Sequence, residues 1–221
     1  MTEISENEQD ALKEFFNMGL GMAADSLSQM VNKEVLLSLP QLAVVSRSEA
    51  KRLVGLDENA PMVAIRQRFR GELNGTALLI FPGAKSLELV RTLLADSMPL
   101  EALTELEQET LLDVGNIILN AFLASFTDMM SVEFEFESAE FLRATCDQLL
   151  DIDSHLTDPN ERELQLDQAD SPKQAFFLMM DFKTGDEMSN EVSLHGYVVL
   201  LFTERDMAVL KKELQTILGA L

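Results

Sequence analysis

The heptapeptide Gly75-Thr-Ala-Leu-Leu-Ile-Phe81 returns as Gly196-Tyr-Val-Val-Leu-Leu-Phe202, an offset of 196 − 75 = 121 residues. Both copies are apolar runs opened by glycine, and each leads into a helical pattern. Upstream, Asn17 in the first long helical stretch aligns with Asn116 in the second, an offset of 116 − 17 = 99 residues. Self-similarity on this scale means that the two halves are duplicates of one supersecondary unit. The expected organisation is one domain over 1–221, with a first repeat at about residues 7–98 and a second at about 102–221. The difference, 121 − 99 = 22 residues, must be inserted in the second half. Its natural place is about 151–172, where Asp151, Asp153, Asp158, Glu161, Glu163, Asp167 and Asp170 face only Arg162. That stretch contains no Asp-x-Asp-x-Asp-Gly calcium loop and reads as a solvated acidic insertion.

Apolar residues at three- and four-residue spacing predict long helices over Glu8–Val31 and Leu103–Met130, the first with Ser5 as its N-cap. Shorter helices are expected at Ser48–Val54, Ala84–Ala95, Ala144–Leu150 and Glu204–Leu218. Strand patterns occupy Val35–Leu39, Leu42–Val45, Met62–Phe69, Thr76–Phe81, Val132–Glu137, Ala175–Phe182 and Val192–Phe202. In Val132–Glu137, Val132, Phe134 and Phe136 alternate with Glu133, Glu135 and Glu137, the pattern of a half-buried strand with an acidic solvent face. The fold class is α+β: two pseudo-symmetric αβ repeats, with the long helices paired on one side and antiparallel strands forming the opposite layer.

Charge narrows the partners. Seventeen Lys and Arg against 38 Asp and Glu leave 17 − 38 = −21, which repels nucleic-acid phosphates and anionic membrane surfaces. Apolar stretches such as Phe176–Met180 and Tyr197–Phe202 fall well short of the ~20 residues a spanning helix needs, and the acidic N-terminus lacks signal-peptide character. The expected location is the cytoplasm. One cysteine, Cys146, permits no internal disulfide and reads as a small buried hydrophobe. His155 and His195 are too few for a multi-histidine metal site, and no resident metal is expected. Arg66, Arg68 and Arg70 alternate along one strand and are expected to pair with acids across it. No Gly-x-Ser-x-Gly elbow or Walker-type phosphate loop is present in the sequence.

What remains is a polar stripe on the first long helix. Asp10, Glu14 and Asn17 stand at i, i+4 and i+7, so at about 100° per residue they share an arc of roughly 60°. The full spacing, Asp10-x3-Glu14-x2-Asn17-x22-Pro40, resembles the signature of the CheC, CheX and FliY phosphatases of bacterial chemotaxis: Asp or Ser, Glu, Asn and Pro at these intervals. The flanking Leu12-Lys-Glu-Phe-Phe-Asn-Met-Gly-Leu-Gly-Met-Ala-Ala24 also looks like that family's first helix. The second repeat keeps the asparagine but reads Glu109-x3-Asp113-x2-Asn116-x22-Ala139. Its Asp113 carboxylate reaches about 1.5 Å less far than a glutamate would, so this second site is expected to be the weaker.

The resemblance implies a CheC-like duplicated α+β fold and hydrolysis of the aspartyl phosphate on a CheY-like response regulator. It gives Asn17 the task of holding the attacking water, Glu14 that of pairing with the receiver's lysine, Asp10 an orienting or docking role, and Pro40 a turn between the first two strands. The Mg²⁺ would come from the receiver, with no cofactor of the chain's own, and the deamidase CheD is a further partner the resemblance suggests. The alternatives it leaves open are an adaptor that binds a receiver or CheD without hydrolysis and a flagellar-switch component.

Overall fold

The computed structural model describes residues 5–53, 60–94, 100–130, 133–150, 174–184, 192–202 and 204–218. The acidic stretch 151–172, His155 and Val132 lie outside the described residues. In chain order the elements are α1 (Glu6–Val31), β1 (Val35–Ser46), α2 (Arg47–Leu53), β2 (Pro61–Gly71), β3 (Gly75–Pro82), α3 (Gly83–Leu94), α4 (Leu100–Met130), β4 (Phe134–Phe136), β5 (Glu140–Thr145), α5 (Cys146–Leu150), β6 (Gln174–Thr184), β7 (Val192–Phe202) and α6 (Glu204–Leu218).

The seven strands form one antiparallel sheet in the order β1-β6-β7-β3-β2-β4, with β5 also paired to β2. Each half therefore lends strands to the other: β1 to β6, and both β4 and β5 to β2. β1 runs along β6 from Val35↔Thr184 to Ser46↔Gln174, and β5 runs along β2 from Pro61↔Thr145 to Arg66↔Glu140. At the centre, β3 and β7 pair from Gly75↔Phe202 to Ile80↔Tyr197.

One face of the sheet carries α1, α3, α4 and α6 over the main core, which includes Phe16, Leu27, Ile65, Leu79, Phe122 and Phe202. The other face has its own core, with Ala50 of α2 and Cys146, Leu149 and Leu150 of α5 packed on Met62, Leu78, Phe177 and Val199. The strands are thus covered on both faces at the centre, where two layers were expected. That explains the unbroken apolar run Ala77–Phe81, in which every residue is buried. The short helices form because each carries a reciprocal cap. Ser46 Oγ accepts from Glu49 N (3.2 Å) while Glu49 accepts from Ser46 N (3.0 Å), and Thr145 with Gln148 repeats the arrangement.

Four expectations are corrected. Val35–Leu39 and Leu42–Val45 are one strand, broken only by a register shift between Ser38 and Gln41. Pro40 therefore sits in a bulge of β1 and shapes no turn; at the sheet edge its missing N–H costs no ladder bond. Ala144 and Thr145 end β5 and do not begin a helix. The strand after α4 is three residues long, and Phe136 is 42% exposed. The arginine expectation holds: Arg66 pairs with Glu140, and Glu137 receives Arg68 at 3.8 Å and Arg70 at 3.0 Å. Cys146 is buried.

Candidate functional site

Helix α1 is fixed at both ends. Ser5 caps it, its N–H and hydroxyl donating to Glu8 Oε2 at 2.6 and 2.8 Å while Glu8 N donates to Ser5 Oγ at 3.4 Å. Glu8 is itself buried. Burial pushes its carboxyl up, but the Ser5 bonds, Gln215 and the charge of Lys211 outweigh that and hold it below the usual value. Gln215 and Lys211 belong to α6, so the cap also ties α1 to that helix. The Ser5-x-x-Glu8 spacing was a readable signal of this box. At the far end Asn32 adopts the left-handed conformation (φ 52°) that closes the helix.

Along its length α1 packs on α4. Phe16 stacks on Phe122 with ring centroids 4.1 Å apart and planes 11° from parallel, and it reaches Phe126 at 5.9 Å. Phe126 continues to Phe202 of β7, so an aromatic column joins both helices to the sheet. Gly19 makes the close approach possible: a Cβ there would lie 2.6 Å from Ser125 Oγ and 2.9 Å from the Ala121 carbonyl oxygen. On α4, Gly115 serves the sheet instead, its position pressed against Ile65.

These contacts turn the polar stripe outward. Asp10 and Glu14 are exposed and Asn17 is half-buried, on the face of α1 opposite Leu12, Phe16, Ala23 and Leu27. Beside them, Lys13 Nζ donates to the Pro40 carbonyl at 3.5 Å, so the β1 bulge flanks the stripe. The structure thus places Pro40 next to the helix that carries the other three signature residues. On α4, Glu109 and Asp113 are exposed and Asn116 is half-buried, the same pattern at the aligned positions. Sequence reasoning passed over Met18, Gly21 and Met22 on this outward side of α1, all of them exposed. Their amphipathic misfit, apolar residues and a glycine at solvent positions, was the available signal.

The stripe offers two exposed carboxylates and a half-buried amide. A carboxamide can accept a hydrogen from water and donate one elsewhere at the same time. Among the described residues, no group of three or more His, Cys, Asp or Glu comes together in a way that could hold a metal ion. Among the described residues one helical segment, Leu106–Asp128 of α4, is long and apolar enough to cross a membrane by length and composition, but half of its most apolar stretch is buried inside the protein.

No family model matches the chain. It is 26% identical over 133 residues to a Bacillus subtilis protein described as CheY-P phosphatase CheC, a span of 59% of this chain and 63% of that protein. The chain is thus similar in sequence to a CheC protein. The match to CheC covers slightly less than two thirds of the relative's length. The fold of FliY from Thermotoga maritima superposes with a TM-score of 0.65 at 14% identity, over 98% of this chain and 100% of that one. The FliM middle domain from H. pylori superposes at 0.59 and 8% identity, over 95% and 99%. The likeness to these two structures is one of fold and extends over nearly the whole chain.

Proposed function

We propose that the chain hydrolyses the aspartyl phosphate of a CheY-like response regulator, with the α1 stripe as its working face. The observation that carries the reading is the outward presentation of Glu14 and Asn17 on one rigid helix, together with likeness to a protein described as a CheY-P phosphatase.

The chemistry suits so sparse a site. In phosphoryl transfer most of the catalysis is positioning and charge stabilisation. The receiver supplies the Mg²⁺ and a lysine beside its phosphoaspartate. Glu14, exposed and anionic, pairs with that lysine and seats α1 over the phosphoryl group. Asn17 accepts a hydrogen from a water in line with phosphorus and donates to a phosphoryl oxygen. The water oxygen bonds to phosphorus as the bond to the aspartyl carboxylate breaks, and its proton leaves with inorganic phosphate. Asp10 orients or docks the partner, and Pro40 with Lys13 braces the flank. Asp113 and Asn116 form a second, weaker site with Glu109 beside them.

Mixing the protein with CheY-like receivers carrying labelled phosphoaspartate, and following loss of label, tests the proposal. Acceleration that disappears in Asn17→Ala supports it. Tight binding to the phosphorylated receiver, or to CheD, without acceleration would make the chain an adaptor.

A further inference from the structure

Three outward residues of α1 have no role in the chemistry above. Met18 and Met22 are 59% and 49% exposed, beside Asn17 and one turn further along. Gly21 stands four residues after Asn17, which at about 100° per residue puts it within the arc of Asp10, Glu14 and Asn17. Glycine in the middle of a helix weakens it relative to alanine and needs a reason. Gly19 has one inside the molecule, the contact with α4. Gly21 has none among the described residues: beyond its chain neighbours and its own helix backbone, no atom lies within 4 Å of a Cβ built on it.

We infer that Gly21, Met18 and Met22 form the seat for the phosphorylated receiver, a reading that rests on the function proposed above. The missing Cβ lets the partner's surface beside its phosphoaspartate come down onto the α1 backbone, and the two flexible thioethers cover the apolar margin of that contact. Charge agrees with this occupant. Asp10, Glu14 and Asp25 are exposed on the same side of α1, and they suit a surface whose centre carries a lysine and a bound cation.

The second repeat lacks this seat. The 99-residue offset maps Met18, Gly21 and Met22 onto Ile117, Asn120 and Ala121. Ile117 and Ala121 are half-buried, and Asn120 projects a side chain whose Oδ1 accepts from Gln67 Nε2 at 2.9 Å. Where α1 is bare, α4 carries a tethered amide. The seat, more than the shorter Asp113, makes the two sites unequal.

The test measures affinity for a CheY-like receiver loaded with beryllofluoride and Mg²⁺, and KM and kcat on the phosphorylated receiver, for wild type, Gly21→Gln, Met18→Ala/Met22→Ala and, on α4, Ile117→Ala. Gly21→Gln is expected to keep or raise the thermal midpoint, since glutamine favours helix and meets open space. It should nevertheless raise Kd and KM roughly tenfold or more, with kcat moving far less; the double methionine variant should lose about tenfold in Kd, and Ile117→Ala should change neither. Wild-type binding with Gly21→Gln and the methionine variant unchanged would overturn the seat and leave the phosphatase reading standing. A wild type that neither binds nor dephosphorylates the receiver would overturn both. A Gly21→Gln variant altered only in self-association would assign this face to a second copy of the chain.

Discussion

Leu78 of β3 lies directly opposite Val199 of β7 in the central ladder, and the repeat offset also maps Leu78 onto Val199, since 78 + 121 = 199. The residue's structural partner is its own duplicate. A relationship of this kind arises only where a two-fold axis passes through the pair, so the β3–β7 ladder is the seam of the duplication. Outward from it the halves interlock, because β1 completes the hairpin β6–β7 and β5 completes β2–β3.

Interlocking makes a prediction about fragments. Residues 1–98 alone leave β1 without its β6 ladder and β3 without β7. That fragment should be unfolded or aggregated by circular dichroism and gel filtration, whereas co-expression with 99–221 should restore a folded complex.

Asn17→Ala should leave the thermal midpoint nearly unchanged, as a half-buried polar surface residue is usually worth about 0.5 kcal/mol or less, but lower receiver dephosphorylation by roughly 10²-fold. Asn116→Ala should cost less. Initial rates with one phosphorylated receiver, for both single variants and the double variant, decide it. Equal losses would show the second site to be as competent as the first.

Glu14→Gln should weaken engagement of the receiver as well as turnover, and wild-type affinity should fall with added salt more steeply than that of the variant. Titrations at low and high ionic strength, analysed as parallel or converging lines, provide the measurement.

The capping carboxylate governs an acid limb of stability. Glu8 is held below its usual value of 4.5 in the folded protein, so its contribution is fully present above about pH 4.5 and is lost as pH falls through the lower folded value. Glu8→Gln should destabilise by about 1 kcal/mol near neutral pH, and the gap from wild type should close in thermal melts carried towards pH 3.

Gly19 and Gly21, two residues apart on α1, should respond to the same substitution with opposite signs. Gly19→Ala drives a Cβ to 2.9 Å from the Ala121 carbonyl, a backbone atom that cannot swing aside. It should cost about 1–3 kcal/mol by pushing α1 off α4. Gly21→Ala meets open space and should stabilise by up to about 1 kcal/mol. Denaturant titrations of the two variants read both signs.

Much of this protein was legible without coordinates because local chemistry decided it. Apolar spacing placed α1 and α4, since an amphipathic helix must show one face to a core. The same spacing put Asp10, Glu14 and Asn17 on the opposite face whatever that core turned out to be. Recurrence of the Gly75–Phe81 pattern announced two like halves, and the alternation of Arg66, Arg68 and Arg70 announced cross-strand pairs. Which strand pairs with which was not legible. The exchange of β1 and β5 between halves depends on contacts more than a hundred residues apart for β1 and β6, and these are chosen by total buried area and ladder register, which no local window contains. Pro40 looked like a turn residue because proline's local preferences cannot reveal an edge-strand bulge. Ala144 and Thr145 read as helical because the pairing with β2 that draws them into β5 lies about eighty residues earlier in the chain. Gly19 and Gly21 are the same residue in sequence. Only the position of α4 against one of them, and open space over the other, separates a packing glycine from a surface one.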